Sequence, residues 1–496
     1  MKVLIYIEDV IGVHYATDLE LAARHLAAGD EVHLILCRGS LQSCPANIHH
    51  DREICALCRS KLRVGLSSRL MARTIRHVLQ LEDYIDEKKL PELYTIEQLK
   101  NYSIDGVRHG MEAASSVISS LRDPRPDMEA QRPMVRRNLV TSVALYRAAM
   151  DFLERIQPDL CYVLNGRRSS QMPVVRALLK KGIRFSTYEV GHKWNRYIVI
   201  EGTYFHDLAN KKREIEKYWE TGVPLAEKEQ IGHSFFHDRR YGSGDDFPEA
   251  LFKKNQYAGR LPANFDPAKR NVAIFNSSED EFAAVDGYDN PVYKDQIEGL
   301  LQIVTSPEIS RDIHFYLRVH PNLGQVVNFQ TRALEDLRSP NLTIIGATEN
   351  IDTYALMENS EKVLTFGSAM SIESTYAGKP SILIGREPYE DLGACYTPQS
   401  HREAVTLIND PNLPPLNRLG ALKYGYYMVA RDRAYEYYDP ATNTFQGRKL
   451  APSQTVRRLV GIWRAGVFAY LVYRLRLLAK RALKLVPSIS SSLQRS

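Results

Sequence analysis

Four short stretches in the second half of this 496-residue chain carry the residue types that hold phosphates. Phe275-Asn276-Ser277-Ser278-Glu279-Asp280-Glu281 follows an apolar run and puts hydroxyls and backbone N–H groups into one turn, which suits phosphate oxygens. Leu317-Arg318-Val319-His320-Pro321-Asn322 sets a cation and an imidazole at a strand end, able to bind a diphosphate or to stabilise a leaving phosphate. Pro321 keeps His320 extended. The third stretch, Phe366 to Pro380, is a Gly367-Ser368 turn and a short helix, closed by Gly378-Lys379-Pro380. Its Glu373 lies one turn in, where a carboxylate can accept from ribose hydroxyls. Gly385 to Tyr389 follows the next strand, with Tyr389 available to cover a base. Each stretch also reads as a capped helix or loop of an ordinary α/β sheet.

Two further features suggest other chemistry. Cys37, Cys44, Cys55 and Cys58 fall within 22 positions, the last two as C-x-x-C, and His49 and His50 lie among them. Such spacing predicts a structural metal site, tetrahedral zinc by default and an iron–sulfur cluster as the alternative. Cys161 and Cys395 read as small buried hydrophobes. At the other end, nine of the chain's 65 basic residues and none of its 59 acidic ones fall from Val456 onward. Between Arg474 and Val486 the cations Arg474, Arg476, Lys480, Arg481 and Lys484 group on one side of a helix. Leu475, Leu478, Ala482, Leu483 and Val486 group on the other. Residues 456–486 therefore predict a basic amphipathic helix on an anionic membrane surface, or else a helix packed on the protein body.

Behind these features stands a regular rhythm. Val3–Ile7 is an unbroken apolar run, Leu19, Ala22, Ala23 and Leu26 make a helical stripe, and Val32–Leu36 is a second strand. Thr17-Asp18-Leu19-Glu20 has the spacing of a capping box. This βαβ unit predicts a doubly wound parallel sheet. The rhythm returns with strands near 159–164 and up to Glu189, after a helical insertion at about 67–156. A second series of strands runs Val272–Phe275, Ile313–Val319, Leu342–Ile345, Lys362–Phe366 and Ser381–Ile384. The expected division is an amino-terminal Rossmann-like domain over 1–260, with its Cys-rich loop at 37–58, and a second Rossmann-like domain over 268–425. A connecting segment at 426–455 and the basic tail at 456–496 complete the chain. Ligands of two such domains bind in the crevice outside the carboxyl ends of the strands.

Composition narrows the class. Charged residues are 25% and hydrophobic ones 44%, as in a folded soluble protein. Net charge is +6, but the tail's nine cations leave the first 455 residues at −3, which argues against nucleic acid as a partner. Glu8-Asp9 interrupt the first apolar run too early for a signal peptide, and no run approaches the ~20 apolar residues that span a bilayer. Six cysteines point to a reducing cytosol.

The loops at 275–281, 317–322 and 366–380 resemble the nucleotide-sugar half of GT-B glycosyltransferases, in particular capsule and surface polysaccharide biosynthesis proteins. The likeness lies in Ser-Ser-Glu-Asp-Glu, Arg-x-His-Pro-Asn and the Ser-x4-Glu-x4-Gly-Lys-Pro block, over about 270–395. It implies a Leloir-type transferase with Ser277, Ser278, His320 and Ser368 about the donor phosphates, and the same strand-end loops offer Glu279 and Arg318 as further binding candidates. Glu373 would then hold the ribose and Tyr389 the base. Retaining members carry a carboxylate eight residues before the ribose glutamate; here that residue is Thr365.

A sugar acceptor needs a base for its hydroxyl proton. Glu8, Asp9 and His14 follow the first strand, and Glu189 and His192 follow a later one. Glu189 and His14 rank first, with His320 on the leaving-group side. The reading is a cytoplasmic glycosyltransferase at the inner face of a bacterial membrane, moving a sugar onto a lipid-linked or growing surface glycan. Its alternatives are a nucleotide-sugar 2-epimerase and a non-catalytic metal-bearing scaffold of a glycan assembly complex. Donor, acceptor, linkage and oligomeric state are not legible.

Overall fold

The computed structural model describes residues 1–8, 10, 13–242 and 256–445. Two sheets organise it. The first has the order Arg433–Ala434, Arg196–Glu201, Phe185–Val190, Leu160–Leu164, Lys2–Ile7, Glu31–Leu36, Ile75–Val78. Its strands pair in parallel except Arg196–Glu201 and Arg433–Ala434, which run antiparallel at one edge. The second sheet, Leu342–Ile345, Ile313–Arg318, Arg270–Phe275, Lys362–Thr365, Ser381–Leu383, is wholly parallel. Read in chain order its strands lie 3-2-1-4-5, so the winding reverses beside Arg270–Phe275. Two Rossmann-like doubly wound domains of the GT-B-like kind result.

Both faces of each sheet are covered, which is why the central strands are apolar throughout. In Lys2–Ile7, Val3, Ile5 and Ile7 enter a cluster with Leu19, Ala22 and Leu26 of the helix Tyr15–Ala27. Leu4 and Tyr6 enter the opposite cluster with Ala148, Phe152 and Leu178. The second sheet divides likewise, Ile274 and Leu317 to one side and Ala273, Phe275 and Tyr316 to the other.

The predicted strands of the second domain all appear within a residue or two. The amino-terminal half differs more. Thr17 is not a cap: the helix starts at Tyr15, so Thr17 lies inside it, bonded to the Tyr435 hydroxyl at 2.8 Å. Glu20 instead accepts from the backbone N–H groups of Glu436, Tyr437 and Tyr438 at 2.8–3.0 Å. The insertion is helical over Ile96–Asn101, Gly110–Leu121 and Arg132–Ile156, but its start supplies the edge strand Ile75–Val78.

The chain also crosses between domains twice. Helix Leu225–Tyr241, expected in the first domain, packs on helix Arg418–Ala430, and Phe236 stacks on Tyr376 with ring centroids 4.0 Å apart. The two helices meet at glycines, because a Cβ on Gly232 would stand 2.7 Å from the Leu422 carbonyl oxygen. After Arg418–Ala430 the chain returns to the first sheet as Arg433–Ala434. The tail at 456–496 lies outside the described residues, as does all of 243–255.

Candidate active site in the interdomain cleft

The first domain's contribution stands at the carboxyl ends of three strands. Glu189 is the penultimate residue of Phe185–Val190, and its Oε1 lies 3.2 Å from Nδ1 of His14. Glu189 Oε2 accepts from Asn165 Nδ2 at 2.7 Å. Asn165 and Gly166 follow Leu160–Leu164 with φ of +52° and +88°, and a Cβ on Gly166 would come within 2.7 Å of Tyr204 Cβ. Only a left-handed turn without a side chain lets the segment after Arg196–Glu201 approach so closely. His14 sits just before Tyr15–Ala27. The sequence thus brings its two leading acceptor-side candidates together from 175 positions apart. The others lie elsewhere: buried Glu8 accepts from the Gln171 amide, and the His192 ring packs on Phe235, 3.5 Å from Asp238. Asp9 lies outside the described residues.

The second domain's loops are built by glutamines that the sequence did not single out. Ser277 donates its hydroxyl to the Phe366 carbonyl at 2.8 Å and receives the Gln296 amide at 2.7 Å, tying the loop to the neighbouring strand end. The Ser278 hydroxyl turns to Asp280. Gln330 bridges the Ser277 carbonyl and the Glu279 N–H. Glu279 accepts from the Gln296 N–H at 3.0 Å, and burial pushes its carboxyl up to about 7. Both serines therefore shape the loop with hydroxyls turned inward.

His320 is held on both sides. Its N–H donates to Asn276 Oδ1 at 2.9 Å, and its Nδ1 accepts from the Asn322 N–H at 3.2 Å. That bond assigns the ring proton to Nε2. Burial, aided by the Arg122 and Arg239 charges, pushes His320 down to about 4, so at neutral pH it is a neutral donor. Arg318 is different. It is buried, and its two terminal nitrogens donate to the Gly346 and Glu349 carbonyls at 2.6 and 2.8 Å, so its fork binds its own neighbouring loop.

Past Lys362–Thr365, Gly367 has φ +79°, and Ser368 Oγ accepts weakly from the Met370 N–H at 3.4 Å. Glu373 is buried, bonded at Oε1 to Arg239 Nε at 2.8 Å and at Oε2 to the Tyr354 hydroxyl at 2.5 Å. Tyr389 does not cover a base: it is fully buried, its hydroxyl on the Ser368 carbonyl at 2.7 Å and its ring edge-on to Tyr424. The group that faces Gly367 is Glu387, whose Oε1 would lie 3.7 Å from a Cβ there. Burial pushes Glu387 up to about 8, so it is a neutral acid at pH 7.

The two sets of loops share one cleft. Lys211 of the first domain feels the charges of both Glu189 and Glu387. Arg167 donates to the Glu281 carbonyl and, at 2.8 Å, to the Ser119 hydroxyl. The helical insertion closes one side, with Arg122 on the Asn322 carbonyl and ion pairs Arg108–Asp286 and Arg125–Asp295. Asn165, Lys211, Arg239 and Gln296 gave no motif in the sequence, since each is placed by a contact with a distant segment.

The cysteines depart from expectation. Among the described residues no group of three or more Cys, His, Asp or Glu side chains is placed to hold a metal ion. None of the four is in a disulfide. Cys37 and Cys44 pack in one core cluster and Cys58 against another, on the opposite face of the sheet. Cys55 accepts from Asn47 Nδ2 at 3.2 Å. The C-x-x-C pair rides on the helix Arg52–Gly65 while Cys37 and Cys44 belong to the loop after Glu31–Leu36, and the four side chains do not converge on one point.

No family model matches the chain, and no curated protein matches it in sequence. Solved structures with similar folds include GT-B glycosyltransferases and UDP-GlcNAc 2-epimerases. KpsC from Thermosulfurimonas dismutans, a beta-Kdo 2,4-transferase, is 13% identical over 61% of this chain and 87% of its own, with a TM-score of 0.36. UDP-GlcNAc 2-epimerase from Neisseria meningitidis is 10% identical over 87% and 98%, with a TM-score of 0.30. The glycosyltransferase SnogD from Streptomyces nogalater is 14% identical over 86% and 95%, with a TM-score of 0.25.

Proposed function

We propose that the protein is a Leloir glycosyltransferase acting on a surface or capsular glycan. The observation that carries the reading is the His14–Glu189 contact at the strand ends of one sheet, in the same cleft as the Gly367, Glu387 and His320 loops of the other. In this reading Nε2 of His14 is the base for an acceptor hydroxyl, and the Glu189 carboxylate, 3.2 Å from Nδ1, stabilises the imidazolium that forms. The nucleotide-sugar donor sits against the second domain, where the His320 Nε2–H and the Arg122 and Arg239 charges meet negative charge growing on the leaving diphosphate. The deprotonated hydroxyl then attacks the anomeric carbon as the diphosphate departs. Base and leaving group lie on opposite domains, which suits a single in-line displacement. No carboxylate stands at Thr365 to support a double one.

The basic segment 456–486 would hold the enzyme at an anionic membrane surface near a lipid-linked acceptor. Among the described residues no helix is long and apolar enough to cross a membrane. The direct test is a panel of CMP-, UDP-, GDP- and dTDP-sugars on the purified chain. A donor should raise the unfolding temperature, and that donor should release its nucleotide only when a glycan acceptor is added. Stabilisation by none of the four would defeat the reading. Conversion of a nucleotide-sugar to its C2 epimer without acceptor would favour the epimerase.

A further inference from the structure

The cleft wall beside Glu189 holds polar groups that the transfer step leaves unused. The segment that leaves Arg196–Glu201 packs on the Asn165–Gly166 turn, with the Phe205 N–H on the Asn165 carbonyl at 2.9 Å. In this wall His206 Nδ1, Arg167 Nε and Asn210 Nδ2 are buried without a hydrogen-bond partner, and so is Asn165 Oδ1. Lys211 Nζ lies 4.1 Å from the centroid of the Phe205 ring, and among the described residues no carboxylate stands within ion-pair distance of it. A buried polar group left unpaired costs about 1–3 kcal/mol. Four such atoms and a bare ammonium in one wall point to a ligand that pairs them.

The local charge says what kind. Lys211 shares this corner with Arg431, and His206 shares it with Arg167 and Arg168. Opposite them, Glu387 holds its proton at neutral pH; the other carboxylates near Lys211 are engaged, Glu189 facing His14 and Glu214 accepting from the Tyr427 hydroxyl at 2.8 Å. Burial pushes Lys211 down to about 7, and an anion beside it would restore its charge. The aromatic faces suit a sugar ring: Phe205 lies on this side, and Tyr288 stacks on Phe282 across the cleft, with centroids 4.9 Å apart and Tyr204 nearby.

We propose that this wall of the cleft is the acceptor subsite for an acidic saccharide, whose carboxylate is bound by Lys211 and by the Nδ1–H of His206. The proposal rests on the transferase reading for the word acceptor alone; the binding of an acidic sugar stands on the wall itself. His14 lies next door through Asn165 and Glu189, so a saccharide anchored here presents a hydroxyl to the base.

The test is ligand titration by saturation-transfer NMR on the full chain, with glucuronate, galacturonate and N-acetylneuraminate against glucose and inorganic phosphate. The wild type is compared with Lys211→Met, Lys211→Arg and His206→Ala. At least one acidic sugar should bind ten times more tightly than glucose. Lys211→Met should weaken it at least tenfold, Lys211→Arg should restore most of the loss, and His206→Ala, an independent variant should Lys211→Met not fold, should weaken it severalfold. Nucleotide affinity should not move. Equal binding of glucose, or no binding of any acidic sugar, overturns the proposal. So does a Lys211→Met variant that loses the nucleotide or phosphate instead, because the wall would then serve the donor diphosphate. If acidic sugars bind through Lys211 while no nucleotide binds, the transferase reading fails and the subsite stands.

Discussion

His14 Nδ1 and Glu189 Oε1 stand 3.2 Å apart at the mouth of the first sheet, and the Asn165 amide holds the other carboxylate oxygen. A carboxylate this close to Nδ1 stabilises the ring once it is protonated. Removing its charge should therefore act on turnover more than on binding. Glu189→Gln should lower kcat by ~10–100-fold with donor KM little changed, at or below the lower end of the ~10²–10⁴-fold that the proton-transfer group itself supplies. Initial rates against donor concentration check this; equal losses in kcat and donor affinity would assign Glu189 a structural role.

His320 ties pH to stability. Its folded value, about 4, lies below its ordinary value near 6.5. Between those values the unfolded chain takes up a proton that the folded chain does not. The contribution is thus fully present above about pH 6.5 and is lost as pH falls toward 4. Unfolding temperatures measured at pH 7.5 and 5 should show a smaller acid loss for His320→Asn than for wild type. The same variant should weaken nucleotide-diphosphate binding about tenfold at pH 7.5, because the Nε2–H is gone.

Glu373, Arg239 and Tyr354 cross-link the helix Leu225–Tyr241 to the second domain. Arg239→Ala leaves a buried carboxylate without its cation, a change that costs about 3–5 kcal/mol, whereas Tyr354→Phe removes one hydrogen bond at about 1–2 kcal/mol. Chemical denaturation should rank them in that order. A negligible loss in Arg239→Ala would mean that the crossing helix is held by its aromatic stack on Tyr376 alone.

Much of this architecture was legible because parallel strands buried on both faces leave unbroken apolar runs. All five strands of the second sheet follow from such runs and the glycines between them. Ile75–Val78 was not legible, since three of its four residues are exposed at a sheet edge and the run has no apolar signature. Thr17 misled because a capping-box spacing can equally fall inside a helix whose hydroxyls bond to a returning chain. In the cleft, strand-end position brought His14 beside Glu189 and set His320 in the facing loop. It failed for Arg318 and Tyr389, whose residue types suit a ligand but whose side chains point into the protein's own loops. The cysteine spacing counted residues along the chain, while the sheet and helix put Cys58 on the opposite face from Cys37 and Cys44.

Outside the described residues, the basic tail makes its own prediction. Each Lys or Arg near an anionic surface contributes about 1 kcal/mol, so the chain should co-sediment with phosphatidylserine vesicles at low salt and release at high salt. A chain truncated after residue 455 should stay in the supernatant while keeping its nucleotide-induced thermal shift. Unchanged co-sedimentation on truncation would remove the membrane role.

The central claim is that one domain supplies the base and the other holds the donor. It is tested most directly by measuring transfer and donor affinity together in His14→Ala. The account predicts that kcat falls by ~10²–10⁴-fold while the donor Kd stays within about twofold of wild type. Transfer at the wild-type rate, or loss of donor binding in step with activity, would contradict it.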